Sequence, residues 1–141
     1  MDSVSVFNST LDSAVESVDG AEESVRQLAL EAGFEEDDQF FIGLAVREIL
    51  INAIKHGNRF DSSKKVDLRV SKNGTALTIE VTDQGDGFRL ESVPDPHLPE
   101  NRERSSGRGI TMALAIMDEF SVAKNAPTGT HVRMVKHLPR P

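Results

Sequence analysis

Cysteine, tryptophan and tyrosine are missing from the 141 residues, and seven phenylalanines are the only aromatic side chains. Without cysteine there is neither a disulfide framework nor a thiolate metal site, and a reducing compartment suits the chain. A basic surplus is missing too: sixteen Lys and Arg stand against twenty-three Asp and Glu, a net charge of -7. That balance gives no cationic field for nucleic acid or an anionic membrane surface, so a phosphate-bearing ligand has to be held locally. Nowhere do the roughly eighteen consecutive apolar residues of a membrane span occur, and Met1 to Val6 do not form a signal-type leader. The expectation is an unexported, cytoplasmic protein. In that setting Asn8-Ser9-Thr10 and Asn73-Gly74-Thr75 are not glycosylation acceptors. Composition does not break and no repeat is present, so residues 1–141 are read as a single domain with a core of ordinary size.

Hydrophobic periodicity supplies the elements. Val4 to Leu11 alternates as a first strand, and Ala21 to Ala32 forms an amphipathic helix through Val25, Leu28 and Ala29, closed by Gly33. The acidic run Glu35 to Asp38 leads a second helix, where negative charge complements the N-terminal dipole. Phe41, Ile42, Leu44, Ala45, Ile49, Ala53 and Ile54 are expected to supply its buried side. Two alternating runs, Lys65 to Ser71 and Ala76 to Val81, flank Asn73-Gly74 and predict a hairpin. The stretch through Pro94, Pro96 and Pro99 to Ser105 has no periodicity and is expected to be a loop. A third helix then opens near Ser106, and strands are expected near Glu119–Lys124 and His131–Leu138, joined by a turn at 125–129.

Three short motifs carry chemistry. Glu48, Asn52 and His56 recur at four-residue spacing and share one face of an α-helix. An amide oxygen on Asn52 suits a hard cation such as Mg2+, and Glu48 one turn earlier can take a proton from a hydroxyl or a water. The bland alternative is an amphipathic helix with Glu and Asn on its wet side and Gly57 as a cap. Asp83-x-Gly85-x-Gly87 sets an acceptor-only carboxylate at a strand exit beside glycines that let backbone approach a flat ligand. Such a carboxylate accepts the exocyclic amine of adenine and repels the carbonyl of guanine; alternatively the segment is a tight turn with a solvated Asp. Ser106-Gly107-Arg108-Gly109 opens a helix whose free N–H groups suit phosphate, with Arg102, Arg104 and Arg108 nearby to add charge. Taken alone it reads as a glycine-rich linker with a surface Arg. Neither the Walker spacing nor a full Gly-x-Gly-x-x-Gly occurs.

Taken together, Glu48-x3-Asn52-Ala53-x2-His56-Gly57, Asp83-x-Gly85-x-Gly87 and Ser106-Gly107-x-Gly109 resemble the N, G1 and G2 boxes of the GHKL ATPases, with Gly129-Thr130 matching the short box on a late strand. Size and the Asn-Ala-x-x-His-Gly ending are most similar to the bacterial anti-sigma-factor serine/threonine kinases. The resemblance implies an α+β fold: a two-layer α/β sandwich of the Bergerat type, with a mixed, mainly antiparallel sheet and helices on one face. It implies that ATP and Mg2+ are bound, with Asn52 as metal ligand, Glu48 as catalytic base and Asp83 on adenine. It also implies that Gly85 and Gly87 shape the base pocket and that Ser106, Gly107, Arg108 and Gly109 meet the phosphates. His56 falls in the same nucleotide box, Thr130 helps hold Asp83 or a water, and Phe88 to Ser105 forms the ATP lid.

The same resemblance implies partner switching: a homodimer that holds a sigma factor and phosphorylates a STAS-type anti-anti-sigma protein. Glu22, Glu23 and Arg26 stand where some relatives use a basic residue to touch partners, a departure that leaves partner identity open. Two other readings remain, a non-catalytic ATP-dependent partner-binding module and a detached histidine-kinase ATP-binding domain. A zinc site is not expected, since His56, His97, His131 and His137 lack ligand spacing.

Overall fold

The computed structural model describes residues 4–85, 105–124 and 129–139. Strand β1 (Val4–Asp12) leads through a short 3₁₀ turn into helices α1 (Val18–Ala32) and α2 (Glu36–Asn52). The hairpin β2 (Lys65–Asn73) and β3 (Ala76–Thr82) follows, then helix α3 (Ser105–Ile116) and strands β4 (Glu119–Lys124) and β5 (Thr130–His137). The strands form one sheet in the order β1-β2-β3-β5-β4, and every one of its four pairings is antiparallel. The expected sheet is therefore present, without a parallel pairing among the described strands.

Strand alternation explains the layering. Val66, Leu68 and Val70 of β2, Leu77, Ile79 and Val81 of β3 and Val132 and Met134 of β5 are buried. Because successive side chains point to opposite faces, the intervening residues make the other face polar. There Thr10 donates to Asp67 across β1 and β2, and His131 meets both Thr82 and Glu80 across β3 and β5. The inner face is covered by helices: Val18, Ala21, Val25 and Ala29 of α1 repeat at helical spacing, and Ile42, Ala45, Val46, Ile49 and Leu50 do so on α2. α1 ends at Gly33, whose φ of 105° is the left-handed conformation that caps helices, and Gly33 N–H returns to Leu30 O at 3.0 Å. The hairpin is present, but its two turn residues are Gly74 and Thr75, with Asn73 still paired to Ala76; Gly74 at φ 61° takes the first turn position rather than the second.

Two expectations for the helices need correction. α1 begins at Val18 rather than Ala21, because buried Val18 extends the apolar stripe by one more turn. On α2, Phe41 is not part of the buried side: it is 45% exposed, its neighbour Phe40 is 46% exposed, and Leu44 is half-buried. The core beneath α2 is already filled by Ile42, Ala45, Val46 and Ile49, which leaves both phenylalanines on the outward ridge. No helix among the described residues is long and apolar enough to cross a membrane.

Candidate functional site

The C-terminal end of α2 carries the first cluster. Glu48 is half-buried and its carboxylate makes no hydrogen bond or ion pair among the described residues. Asn52 is 7% exposed, and its Nδ2 donates to the main-chain oxygen of Glu48 at 2.9 Å. That bond orients the amide so that Oδ1 remains an acceptor without a partner among the described residues.

Beyond Asn52 the α-helix widens into a π-helical turn, Ala53–Gly57. The four-residue spacing thus holds from Glu48 to Asn52 but not on to His56, because a π turn holds more residues than an α turn. His56 is exposed and has no polar partner among the described residues. Partial burial, reinforced by the neighbouring Lys55 cation, holds its pKa below the ordinary histidine value. Single π turns of this kind concentrate at functional sites.

The π turn delivers Gly57 against Asp83, which lies just past β3 and is only 1% exposed. Asp83 Oδ1 accepts the N–H groups of Gly85 and Thr130, each at 3.1 Å, and Asp83 N–H donates to Thr130 O at 3.0 Å. Oδ2 has no hydrogen-bond partner among the described residues. Burial raises the Asp83 pKa, while the two N–H donors and the Lys64 cation oppose that rise.

Three glycines make this approach possible. A Cβ at Gly57 would lie 2.6 Å from the Asp83 carboxyl carbon and nearer still to Oδ2. One at Gly85 would overlap the Gly57 carbonyl and come within 2.9 Å of the Asn58 nitrogen. Gly129, at φ 112°, has its missing Cβ directed at the Asp83 carbonyl. The recess around Asp83 is therefore a cradle that side chains would fill.

Asn58 ties these parts together, although it belongs to none of the sequence motifs. It is 1% exposed: Nδ2 donates to Ser13 Oγ at 2.9 Å and Lys65 O at 3.0 Å, while Oδ1 accepts Gln84 N–H at 2.8 Å. One amide thereby joins the end of the π turn to the β1 exit, the start of β2 and the residue after Asp83. After Gly57 the residue types read simply as a polar loop, so only the burial of Asn58 reveals it. The two residues beyond, Arg59 at φ 52° and Phe60 at φ 59°, hold left-handed conformations that side-chain-bearing residues seldom adopt.

Asn52, Gly57, Asp83, Gly85, Gly129 and Thr130 are thus brought to one end of the sandwich. Thr130 is buried and serves Asp83 through its main chain. Ser106, Gly107, Arg108 and Gly109 occupy the opening residues of α3, which packs against α2. Gly87, Arg102, Arg104 and the lid expected from Phe88 onward lie outside the described residues; Ser105 begins α3.

Antiparallel sheet, helices on one face and the ordered motifs define the GHKL class of ATP-binding sandwich. The chain belongs to the histidine kinase-like ATPase domain family, whose model matches residues 11–136. Over 104 residues it is 32% identical to a protein named anti-sigma F factor from Anoxybacillus flavithermus, covering 72% of this chain and 71% of that one. Over 119 residues it is 30% identical to serine-protein kinase RsbW from Bacillus licheniformis, covering 80% and 73% respectively. The crystal structure of the RsbU and RsbW domains of Rv1364c from Mycobacterium tuberculosis aligns over 100% of this chain with a TM-score of 0.69 and 22% identity. This chain spans 34% of that polypeptide, and at such identity the likeness bears on the fold alone.

Proposed function

We propose that the chain is one histidine kinase-like ATPase domain that acts as an anti-sigma factor and as a serine/threonine kinase toward a STAS-type anti-anti-sigma protein. The observation that carries the nucleotide reading is the glycine cradle around Asp83, with Oδ2 left as an acceptor for the amine of adenine. The names of the relatives, anti-sigma F factor and serine-protein kinase RsbW, support the regulatory and transfer roles. A sigma-factor partner implies the cytoplasm, and a homodimer is the assembly we expect.

The donor set fits Mg-ATP. Among the described residues no group of three or more His, Asp or Glu side chains is arranged to hold a metal. Mg2+ asks for less, since it keeps several waters and uses one or two protein oxygens with the substrate phosphates. Asn52 Oδ1, left as an acceptor by the Nδ2 bond to Glu48 O, would be that protein oxygen. Bound there, Mg2+ would supply positive charge against the triphosphate.

The protein's own part is positioning and proton transfer. Asp83, Gly85 and the Gly57 backbone hold the base, and Gly107 and Gly109 at the start of α3 present N–H groups to phosphate. Glu48 accepts the proton of the acceptor serine or threonine hydroxyl as its oxygen bonds to the γ-phosphorus. The bond from that phosphorus to the β,γ-bridging oxygen breaks, and its electron pair leaves with ADP.

Incubation with Mg-ATP and an unphosphorylated STAS-type protein tests the proposal. One acid-stable phosphate added to a Ser or Thr of that protein is expected. Binding of the acceptor without transfer would favour a non-catalytic module, and acid-labile phosphate would point to histidine chemistry.

A further inference from the structure

Helix α2 carries large apolar side chains outside its buried stripe as well as in it. Its inner stripe is buried, yet its outward ridge carries Phe40, Phe41 and Leu44. Phe40 and Phe41 meet edge to face, with ring centroids 5.4 Å apart at 70°. The guanidinium of Arg26 on α1 sits 4.9 Å over the Phe40 ring.

This arrangement is held in place by its neighbours. Arg26 crosses α2 at Gly43, where a Cβ would lie 2.6 Å from Arg26 Cγ, and it pairs with Glu22. Glu22 also binds Arg47 of α2 at 3.0 Å, and Arg47 reaches Asp19 at 2.7 Å. The basic groups on this flank are therefore engaged within the protein. By contrast Glu36, Asp37 and Asp38, one turn before the phenylalanines, form no ion pair among the described residues. The ridge thus presents two rings beside carboxylates that have no cationic side-chain partner among the described residues.

Its direction relates it to the site. Phe41, Leu44, Glu48 and Asn52 follow one another at spacings of three, four and four residues and run along one side of α2. At 1.5 Å per residue, Phe41 lies about 10 Å along the axis from Glu48. An acceptor that reached Glu48 along this side of α2 would lie over the ridge.

We infer that Phe40, Phe41 and Leu44 form the docking ridge for the phosphoacceptor protein. The ridge takes an apolar side chain about 10 Å from the acceptor hydroxyl, flanked by Lys or Arg that answer Glu36, Asp37 and Asp38. The inference rests on the kinase reading above and names the surface that selects its protein substrate.

The test varies an unphosphorylated STAS-type acceptor from the same organism at saturating Mg-ATP. Unaltered protein is compared with Phe41→Ala, the double variant Phe40→Ala/Phe41→Ala and the conservative Phe41→Leu. The double variant is expected to raise the acceptor KM at least tenfold while kcat and the ATP Kd stay within twofold. Phe41→Leu is expected to recover most of the loss, and the unaltered KM to rise with salt. An acceptor KM within twofold of the unaltered value in the double variant would overturn the inference. An ATP Kd that weakens in step would also overturn it, since the ridge would then belong to the nucleotide pocket or its lid. Calorimetric binding of the same acceptor to each variant reads the docking step without any transfer, so loss of the kinase reading and loss of the docking ridge are told apart.

Discussion

Gly57 and Asp83 are in contact through the glycine's missing side chain: a methyl group there would enter the space of the carboxylate, 2.6 Å from its carbon. Gly57 does not have a positive φ, so alanine fits its backbone and the conflict is purely steric. Gly57→Ala is therefore expected to push Asp83 aside, destabilising the fold by about 1–3 kcal/mol as overpacking does. ATP affinity should fall at least tenfold. Denaturant unfolding and calorimetry check the two effects, and an alanine variant that binds ATP normally would contradict the placement of Asp83.

Asp83 itself ties binding to stability. Burial raises its pKa in the folded state, so the folded protein holds this proton more tightly than the unfolded chain. As pH rises from the ordinary aspartate value near 4 toward the raised value, only the unfolded chain ionises and stability falls. Above the raised value the loss stays constant. Asp83→Asn removes that cost and can still accept from Gly85 and Thr130 through Oδ1. We expect it to melt at or above the unaltered protein at neutral pH, the difference shrinking as pH drops toward 4, while ATP binding weakens by about 1–3 kcal/mol. Thermal melts across pH read the first effect, and a markedly less stable Asn variant at neutral pH would contradict it.

Glu48 and Asn52 should separate transfer from binding. Glu48→Gln removes the base while keeping the size of the side chain. ATP affinity is expected to stay within twofold and phosphoryl transfer to drop by about 10²–10⁴-fold. Asn52→Ala should remove the Mg-dependent part of ATP binding. Transfer at the unaltered rate by the Gln variant would take the base role away from Glu48.

Asn58 is a joint, and its loss deprives Ser13, Lys65 and Gln84 of one hydrogen bond each. Asn58→Ala is expected to cost about 1–3 kcal/mol or more, because buried polar groups lose their partner. Hydrogen exchange should speed up most at Gln84 and Gly85. Unchanged protection there would show that Asn58 does not hold the Asp83 loop.

Much of this is legible in residue order. Alternation around Asn73-Gly74 foretells β2 and β3 because a two-residue turn with a left-handed glycine allows few other outcomes. Gly33 marks the end of α1 for a similar reason, and Asp83 with Gly85 foretells a strand exit with close backbone approach. Other features are hidden. The π turn at 53–57 has no residue-type signature, so spacing alone implies an α-helix that continues to His56. Asn58 has the residue type of an ordinary loop, and its role comes from tertiary bonds to three distant segments. Phe41 shows that an apolar type on a helix does not say which side the core has already filled.

Titration of the purified chain with ATP in a calorimeter, with and without Mg2+, tests the nucleotide site most directly. Saturable heat that requires Mg2+, is lost in Asn52→Ala and is weakened in Asp83→Asn is the predicted result. No heat and no thermal stabilisation of the unaltered chain at millimolar ATP and Mg2+ would contradict it.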